Sequence, residues 1–274
     1  MREPVPSPAA QPPEKRKESW GETVRFLLLL FVAAFLLRSL LVAPFSIPSG
    51  SMLPRLMIGD YLFVAKWPYG YSRFSFPWGL VPIEGRVFAD LPERGDVAVF
   101  RYPGRSEDFV KRVVGLPGDT IAIAGGVPVL NGTPLARQRI ADWPMPVSAN
   151  SPCRAVVPQG AREENGTCFY PRYRETLPSG RSYEVIDQGT GTPGDDLAPV
   201  TVPAGHVFVL GDNRDDSMDS RFAQAAGGVG MLPVDHLLGR ALVTFWSTDG
   251  SAEWLKPWTW FSAARWERIG GTYD

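Results

Sequence analysis

FVKRVVGLPGDTIAIAGGVPVLNG, residues 109–132, is the stretch that decides the fold class of this chain. Short runs rich in Val and Ile alternate here with glycine-containing turns, a spacing that is typical of antiparallel strands rather than helices. Gly125-Gly126 and Asn131-Gly132 are dipeptides of the kind preferred at tight hairpin turns. The stretch therefore predicts a β-meander.

The same pattern continues on both sides of the meander. Further short apolar runs lie at residues 61–65, 97–100, 206–210 and 241–246. Helix-period segments are scarce after residue 45, and residues 140–200 are rich in proline and turns. We therefore predict a mainly β fold, with a β-rich main domain at 44–124 and 201–250 and an inserted β subdomain at 125–200.

An apolar run precedes this body, FLLLLFVAAFLLRSLLVA at residues 26–43, and its one charge is Arg38. A helix of that length reaches about 27 Å, close to the thickness of a bilayer core. We predict a single transmembrane helix at 23–43 that follows a disordered tail at 1–22. A cleavable signal peptide is the alternative, but no small-x-small site follows, and Pro44 is a poor place to cut.

The charges that flank the apolar run indicate its orientation. Arg55 is the one basic residue in roughly fifteen positions after the run, whereas the flank before it includes Lys15, Arg16, Lys17 and Arg25. Cytoplasmic flanks carry the excess of basic residues. We therefore predict a cytoplasmic tail and a body, residues 44–274, on the outer side of the membrane.

The overall composition excludes some classes of function. The formal net charge of the 274 residues is −1, so the basic footprint of a nucleic-acid-binding protein is absent.

Cys153 and Cys168 lie in one polar, turn-rich stretch and could close a disulfide in an oxidising compartment. Two unpaired thiols are the alternative.

Two segments are unusually aromatic, the extension at residues 67–93 and the C-terminal segment at 251–274. Their aromatic residues include Trp67, Tyr69, Tyr71, Phe74, Phe76, Trp78 and Phe88, then Trp254, Trp258, Trp260, Phe261 and Trp266. Core packing explains such density, but tryptophan also prefers the interface between bilayer and water. Because a membrane anchor is predicted nearby, we expect at least one of the two segments to rest on the membrane.

Ser49-Gly50-Ser51-Met52 offers a candidate nucleophile just outside the predicted membrane segment. Gly50 allows a tight turn beside Ser51, which suits an exposed hydroxyl and an oxyanion hole lined by amides. Most serines next to glycine nevertheless lie in ordinary turns. A catalytic serine also needs a base, and His206 and His236 do not resemble members of a catalytic triad.

Lysine is the alternative base. Strand alternation puts Lys111 on one face of the run 109–114 and Arg112 on the other. If both faces are covered, one of these charges enters apolar surroundings, and burial lowers the pKa of a lysine toward a useful range. Two charges that simply line an edge strand are the simpler alternative.

A further polar run, residues 211–221, alternates acidic side chains in the manner of a calcium loop. In that frame Ser220 stands where the loop requires glycine, and Ala226 stands where it requires glutamate. The run is better suited to a hydrogen-bonded network that orients a catalytic lysine. We therefore predict no metal site.

Together these segments resemble the type I signal peptidases, bacterial enzymes that remove signal peptides from exported proteins. The resemblance covers most of the chain from about residue 37 onward and fades near 125–200. Five ordered blocks carry it: residues 48–54, 59–61, 94–97, 109–119 and 211–221. Five blocks in the same order make the resemblance highly specific.

The resemblance implies a set of site residues. Ser51 would be the nucleophile and Lys111 the general base, with an oxyanion hole formed by the Ser51 amide and the Ser49 hydroxyl. Ser217 would hydrogen-bond the lysine, and Asp219 and Arg221 would complete a supporting network. The shallow pockets that accept small residues would be lined by Phe45, Ile47, Met52, Leu56 and Val110. An acyl-enzyme mechanism without a cofactor, in a β-rich body with an inserted β subdomain, is also implied.

The same resemblance implies partners and location. The substrates would be preproteins with signal peptides, and the body would face the periplasm or outside of the bacterial inner (plasma) membrane. It would contact the phospholipid bilayer and lie near the secretion translocon. The chain departs from the family in its long extension at 67–93 and in having one membrane segment where some members have two. There are two alternatives. One is a relative that has the same pair of catalytic residues, Ser51 and Lys111 (the Ser–Lys dyad), but a narrow range of substrates. The other is a non-catalytic membrane-anchored β module.

Overall fold

Strands dominate the residues that the computed structural model describes, which are 20–77, 81–253 and 255–273. The helices are α1 (Trp20–Leu36) and α2 (Trp258–Ser262). The strands are β1 (Val42–Ser46), β2 (Asp60–Ala65), β3 (Tyr71–Ser72), β4 (Arg86–Val87), β5 (Val97–Arg101), β6 (Asp108–Gly115), β7 (Thr120–Ala124), β8 (Val127–Leu130), β9 (Thr133–Pro134), β10 (Ala136–Pro146), β11 (Arg162–Glu164), β12 (Thr167–Thr176), β13 (Ser182–Ile186), β14 (Leu197–Thr201), β15 (His206–Leu210), β16 (Leu232–Pro233) and β17 (Leu237–Ser247). The predicted mainly β fold class is confirmed.

The N-terminal helix is apolar along its whole length. With the π-helical turn Leu37–Leu41 that continues α1, the helix runs from Trp20 to Leu41, a 22-residue segment of mean hydropathy 2.3 that is long and apolar enough to cross a membrane. It starts and ends earlier than the predicted 23–43, because Val42 and Ala43 belong to β1. Pro44 explains the earlier end, since the residue before a proline is pushed out of the helical region. Residues 1–19 of the predicted tail, with Lys15, Arg16 and Lys17, lie outside the described residues.

A seven-stranded antiparallel sheet forms the main part of residues 37–274, which make one compact unit. Its strand order is β1-β2-β17-β5-β6-β15-β16. Strand β6 lies inside the sheet between β5 and β15, and every residue from Val110 to Gly115 is buried. Both faces of β6 are therefore covered, and its two cations are forced into the interior.

The predicted inserted region, 125–200, forms sheets of its own. Strands β10 to β13 make one four-stranded sheet, and β14-β7-β8-β9 make another. The predicted boundary at residue 125 puts β7 in the main domain, but β7 pairs with β8 and β14. The turn at Gly125-Gly126 causes this, because it folds β8 straight back onto β7. Cys153 and Cys168 form a disulfide with a Cα–Cα distance of 5.3 Å.

The aromatic extension after β2 is partly folded onto the main sheet. Tyr69 is buried and its hydroxyl donates to Asp96 Oδ2 at 3.0 Å, while Phe74 packs on the apolar core. Trp67 and Phe88 are exposed. The extension thus combines core packing with an outward aromatic surface, whereas Trp78 and, in the C-terminal segment, Trp254 lie outside the described residues.

Candidate active site

Ser51 lies in the turn that follows edge strand β1. The Leu53 amide donates to Gly50 O at 3.1 Å and the Leu56 amide donates to Met52 O at 2.9 Å, so the turn is closed around the serine. Ser51 is 8% exposed. The hydroxyl is therefore held in a fixed, nearly dry position.

Lys111 reaches this serine from β6. Its Nζ lies 2.6 Å from Ser51 Oγ and 3.0 Å from Val110 O, and the side chain is buried. Burial lowers the pKa of Lys111 from 10.5 to about 8, although the charges of Asp219 and Asp212 act in the opposite direction. A lysine in this state exchanges its proton near neutral pH, which is the property that a general base requires.

The predicted oxyanion-hole groups lie beside the hydroxyl. Ser49 Oγ is 3.4 Å from Ser51 Oγ. Within the described residues, the Ser51 amide donates no hydrogen bond to another group of the chain. A hydroxyl and a free amide are therefore available on the nucleophile turn, and both could donate to an oxygen that becomes negative.

Residues 211–221, which follow β15, hold the Ser51 turn in place. The Asn213 amide donates to Ser51 O and its side-chain Nδ2 donates to Gly50 O, both at 3.1 Å. Gly211 approaches so closely that a Cβ there would lie 2.6 Å from Ser51 O and 2.2 Å from Ser217 Oγ. Only glycine fits between these atoms, so Gly211 and Asn213 determine where the serine sits.

Asp219 and Arg221 form a buried ion pair in the same run, with Nε 2.8 Å from Oδ1. Burial alone would raise the pKa of Asp219, but the charge and hydrogen bonds of Arg221 and the Gly211 amide lower it below its ordinary value. Within the described residues Lys111 forms no hydrogen bond with Ser217, contrary to the expectation; the Ser217 hydroxyl lies beside Asp219 and contributes to lowering the pKa of that carboxylate. Lys111 instead binds Ser51 Oγ and Val110 O.

Arg112, the neighbour of Lys111, points to the other face of β6. It forms a buried pair with Asp212, with Nε 2.7 Å from Oδ1, and donates to Gly95 O at 2.7 Å. Asp212 thereby neutralises one of the two cations that β6 carries inward, and Lys111 remains without an ion-pair partner among the described residues. The roles of Asp212, Asn213 and Gly211 are not among those predicted from the sequence, although all three residues lie in the 211–221 block.

The predicted pocket residues belong to one apolar cluster beside the dyad. Ile47, Met52, Leu56 and Val110 are buried in it, and Phe45 packs against it partly exposed.

The two histidines form their hydrogen bonds away from Ser51 and Lys111. His206 Nδ1 contacts Ala204 O and His236 Nδ1 contacts Arg101 O, and neither bonds Ser51 or Lys111 in the described part of the chain.

Known proteins resemble this chain over most of its length. The family model described as "Signal peptidase, peptidase S26" matches residues 20–246. Proteins named signal peptidase I from Rickettsia massiliae and Rickettsia typhi are 33% identical over 88% of each chain and 34% identical over 82% of this chain and 84% of the other. A solved signal peptidase I from Enterococcus faecalis is 22% identical, with a TM-score of 0.29 over 55% of this chain and 97% of that one, too loose a superposition to bear on single residues.

These matches define the chain as a peptidase. It belongs to the peptidase S26 family of signal peptidases.

Proposed function

We propose that this chain is a membrane-bound serine endopeptidase that removes N-terminal signal peptides from exported preproteins after small-x-small motifs. The observation that carries the proposal is the 2.6 Å contact between Lys111 Nζ and Ser51 Oγ in a buried site. A pKa of about 8 lets Lys111 lose its proton without strongly alkaline conditions. Family membership supports the substrate class.

The first half of the reaction forms an acyl-enzyme. Neutral Lys111 takes the Ser51 hydroxyl proton while Oγ attacks the carbonyl carbon of the scissile bond. The resulting oxyanion accepts hydrogen bonds from the Ser51 amide and the Ser49 hydroxyl. The Lys111 ammonium then gives its proton to the leaving amine, and the C–N bond breaks to release the mature protein.

The second half frees the enzyme. A water attacks the ester on Ser51 while Lys111 accepts one of its protons, and the signal peptide leaves as a carboxylic acid that releases its remaining proton to solvent. Lys111 returns its proton to Ser51 Oγ. Both proton transfers to and from Ser51 Oγ thus pass through one buried amine, and no cofactor is needed.

The apolar cluster beside the dyad supports the preference for small residues. Phe45, Ile47, Met52, Leu56 and Val110 are bulky and already closely packed, so a large substrate side chain would overlap them. Alanine or glycine would overlap these residues least. Because discrimination arises from steric overlap, such a site would distinguish substrate residues by the size of their side chains rather than by their chemical identity.

The Trp20–Leu41 helix supports a membrane-bound enzyme. We propose that it crosses the bacterial inner membrane once and that residues 44–274 face the periplasm or outside, as the flanking charges predict. Confinement to the bilayer, near the secretion translocon, would bring the dyad to the point where signal peptides emerge. The exposed aromatic residues of α2 and its flanks would contact the phospholipid.

Cleavage of a precursor with a signal peptide by the full-length protein in detergent tests the proposal. Wild type should cut after a small-x-small motif, and Ser51→Ala and Lys111→Met should each lose activity by at least about a thousandfold. Lys256→Met is the matched control, because Lys256 is an exposed lysine paired with Glu253. Activity that survives Lys111→Met would contradict the base assignment and return attention to His206 and His236.

A further inference from the structure

A cavity of about 400 Å³ lies beside the main sheet, between β1, the first residues of β6 and the extension after β2. Its apolar lining includes Phe45, Val64, Val99 and Leu238. Residues 74–77 of the extension form part of its wall. The wall is firmly held, since Ser72 caps the turn at 73–75 and Phe74 packs on both the apolar cluster and His236.

The same cavity carries an excess of positive charge. Four charged side chains line it: Arg38, Lys66, Arg101 and Asp108. Arg101 and Asp108 neutralise each other, with Nε 2.5 Å from Oδ1. Arg38 and Lys66 have no ion-pair partner among the described residues.

Lys66 can still interact with a ligand in this cavity. Its buried ammonium donates one hydrogen bond, to Ser75 O, and an ammonium has three donors. Burial and the nearby charge of Arg38 lower the pKa of Lys66 to about 8, with Asp108 opposing them. Most Lys66 side chains are therefore charged at pH 7, and a cationic substrate side chain that entered the cavity would be repelled by both Lys66 and Arg38.

The cavity is continuous with the site described above. Phe45, Val64, Val99 and Leu238 belong both to its lining and to the apolar cluster that holds Ile47, Met52 and Val110. Strand β1 is at the end of the sheet order and pairs with β2 within the described residues, so its other edge can accept an extended peptide.

The chain direction of such a peptide relative to β1 follows from the way in which both segments leave the membrane. β1 begins directly after the Trp20–Leu41 helix, and a signal peptide also leaves the bilayer at its C-terminal end. A substrate strand therefore runs parallel to β1. Its residues before the scissile bond extend from Ser51 past Phe45 toward Ala43 and Arg38, which line the cavity.

We infer that this cavity receives the preprotein residues that precede the small-x-small motif, at roughly positions −4 to −7, and that Lys66 with Arg38 makes the enzyme discriminate against basic side chains there. The inference rests on the proposed function and deepens it, because it assigns the enzyme a charge preference in addition to a size preference. It also gives the extension a role, since residues 74–77 complete the wall.

Precursors that carry Asp, Gln or Lys singly at each of these positions test the inference with the full-length protein. The measured quantity is the ratio of kcat/KM for the Asp precursor to that for the Lys precursor within one enzyme, so that any general change in activity cancels. In wild type this ratio should reach about five at one or more positions. It should approach one in about 1 M salt, because salt screens the charges. A ratio near one at every position would overturn the inference.

Variants of Lys66 assign the effect to this cavity. Lys66→Met should bring the ratio close to one, Lys66→Glu should invert it, and Lys66→Arg should retain it. Lys256→Met is the control and should leave the ratio unchanged, because Lys256 lies outside the cavity lining. A ratio that Lys66→Glu leaves as in wild type would overturn the role of Lys66.

A binding measurement covers the case in which a Lys66 variant does not fold. A photo-crosslinker placed at the upstream positions should attach to residues 74–77 of the Ser51→Ala protein, and attachment exclusively elsewhere would overturn the inference. Failure of wild type to cleave even the Gln precursors would instead count against the proposed function. The two failures are therefore distinguishable.

Discussion

Two lysines of this chain, Lys66 and Lys111, are buried, and burial lowers the pKa of each to about 8. Their contacts separate their roles. Lys111 Nζ touches the hydroxyl of Ser51, whose proton can be removed, whereas Lys66 Nζ donates to the carbonyl oxygen of Ser75, which has no proton to give. A shifted pKa marks both sites as functional candidates, but only the hydroxyl contact makes Lys111 a candidate base.

The pKa of Lys111 predicts the acidic limb of the pH profile. The base must be neutral, so kcat/KM should fall about tenfold for each pH unit below a midpoint near 8. Steady-state cleavage of a soluble peptide from pH 5 to 10, checked for intact folding at each pH, measures this limb. A midpoint close to 6.5, the ordinary value for histidine, would contradict the assignment.

The same lysine should reduce the stability of the fold. The unfolded side chain binds its proton below about pH 10.5 and the folded one below about pH 8, so stability falls as the pH drops from 10.5 to 8 and stays low below that. Lys111→Met removes this penalty. We expect the free energy of unfolding at pH 7 to rise by about 3 kcal/mol.

Denaturant unfolding of wild type, Lys111→Met and the exposed control Lys256→Met at several pH values measures this effect. The gain for Lys111→Met should shrink as the pH rises from 8 toward 10.5, and the control should show none. A gain that is equal at all pH values would attribute the effect to packing rather than to charge.

At the scale of elements, the approach of the run after β15 to the nucleophile turn decides the geometry of the dyad. Gly211→Ala places a Cβ 2.6 Å from Ser51 O and 2.4 Å from Ser217 Cβ, so the nucleophile turn has to shift relative to Lys111. A displacement of about 1 Å costs roughly a hundredfold in rate. We expect kcat for precursor cleavage to fall by about that factor.

Gly132→Ala is the matched control for this prediction. Gly132 differs from Gly211 in having a positive φ, 80°, and an added Cβ there meets nothing within 4 Å. Its replacement should lower thermal stability modestly through backbone strain and leave kcat unchanged. Equal kcat for Gly211→Ala and wild type would show that the contact does not position Ser51.

The strands also show how far the sequence could predict this site. Alternation in the run 109–114 placed Lys111 and Arg112 on opposite faces, and the fold class followed from the turns around that run. Which cation would face Ser51 depended on burial of both faces of β6, a property of the neighbouring strands. The bonds from Asn213 to Gly50 and Ser51 join positions more than 160 residues apart, so no local pattern indicates them.

Boundaries between elements were predicted less well for a related reason. The apolar run resumes after Arg38 and Ser39 and continues to Ala43, so composition alone extends the predicted helix into β1. Pairing with β2 and the restriction before Pro44 end it at Leu41 instead. Likewise, the sequence predicts β7 as one more strand of the main sheet. Its pairing with β8 and β14 instead places it in a separate sheet.

At the scale of the whole molecule, apolar surface distinguishes the C-terminal segment from the rest of residues 37–274. Leu255, Trp258, Phe261 and Trp266 are each more than half exposed, and the described residues of this segment contribute no strand to the main sheet. A soluble surface rarely concentrates large apolar side chains in this way. Tryptophan and phenylalanine at such a density are typical of a surface that rests at the bilayer interface.

Trp258→Ala combined with Phe261→Ala tests this contact. If the segment holds the dyad at the membrane surface, cleavage of a precursor embedded in phospholipid vesicles should fall by about tenfold, equivalent to about 1.4 kcal/mol. Cleavage of a soluble peptide in detergent should not change, because α2 contributes no residue to the dyad or to the apolar cluster. Val156→Ala, which shortens an exposed apolar side chain in the inserted region, is the control. Equal losses on both substrates would mean that the segment supports the fold, and no loss on either would mean that it does not contact the membrane.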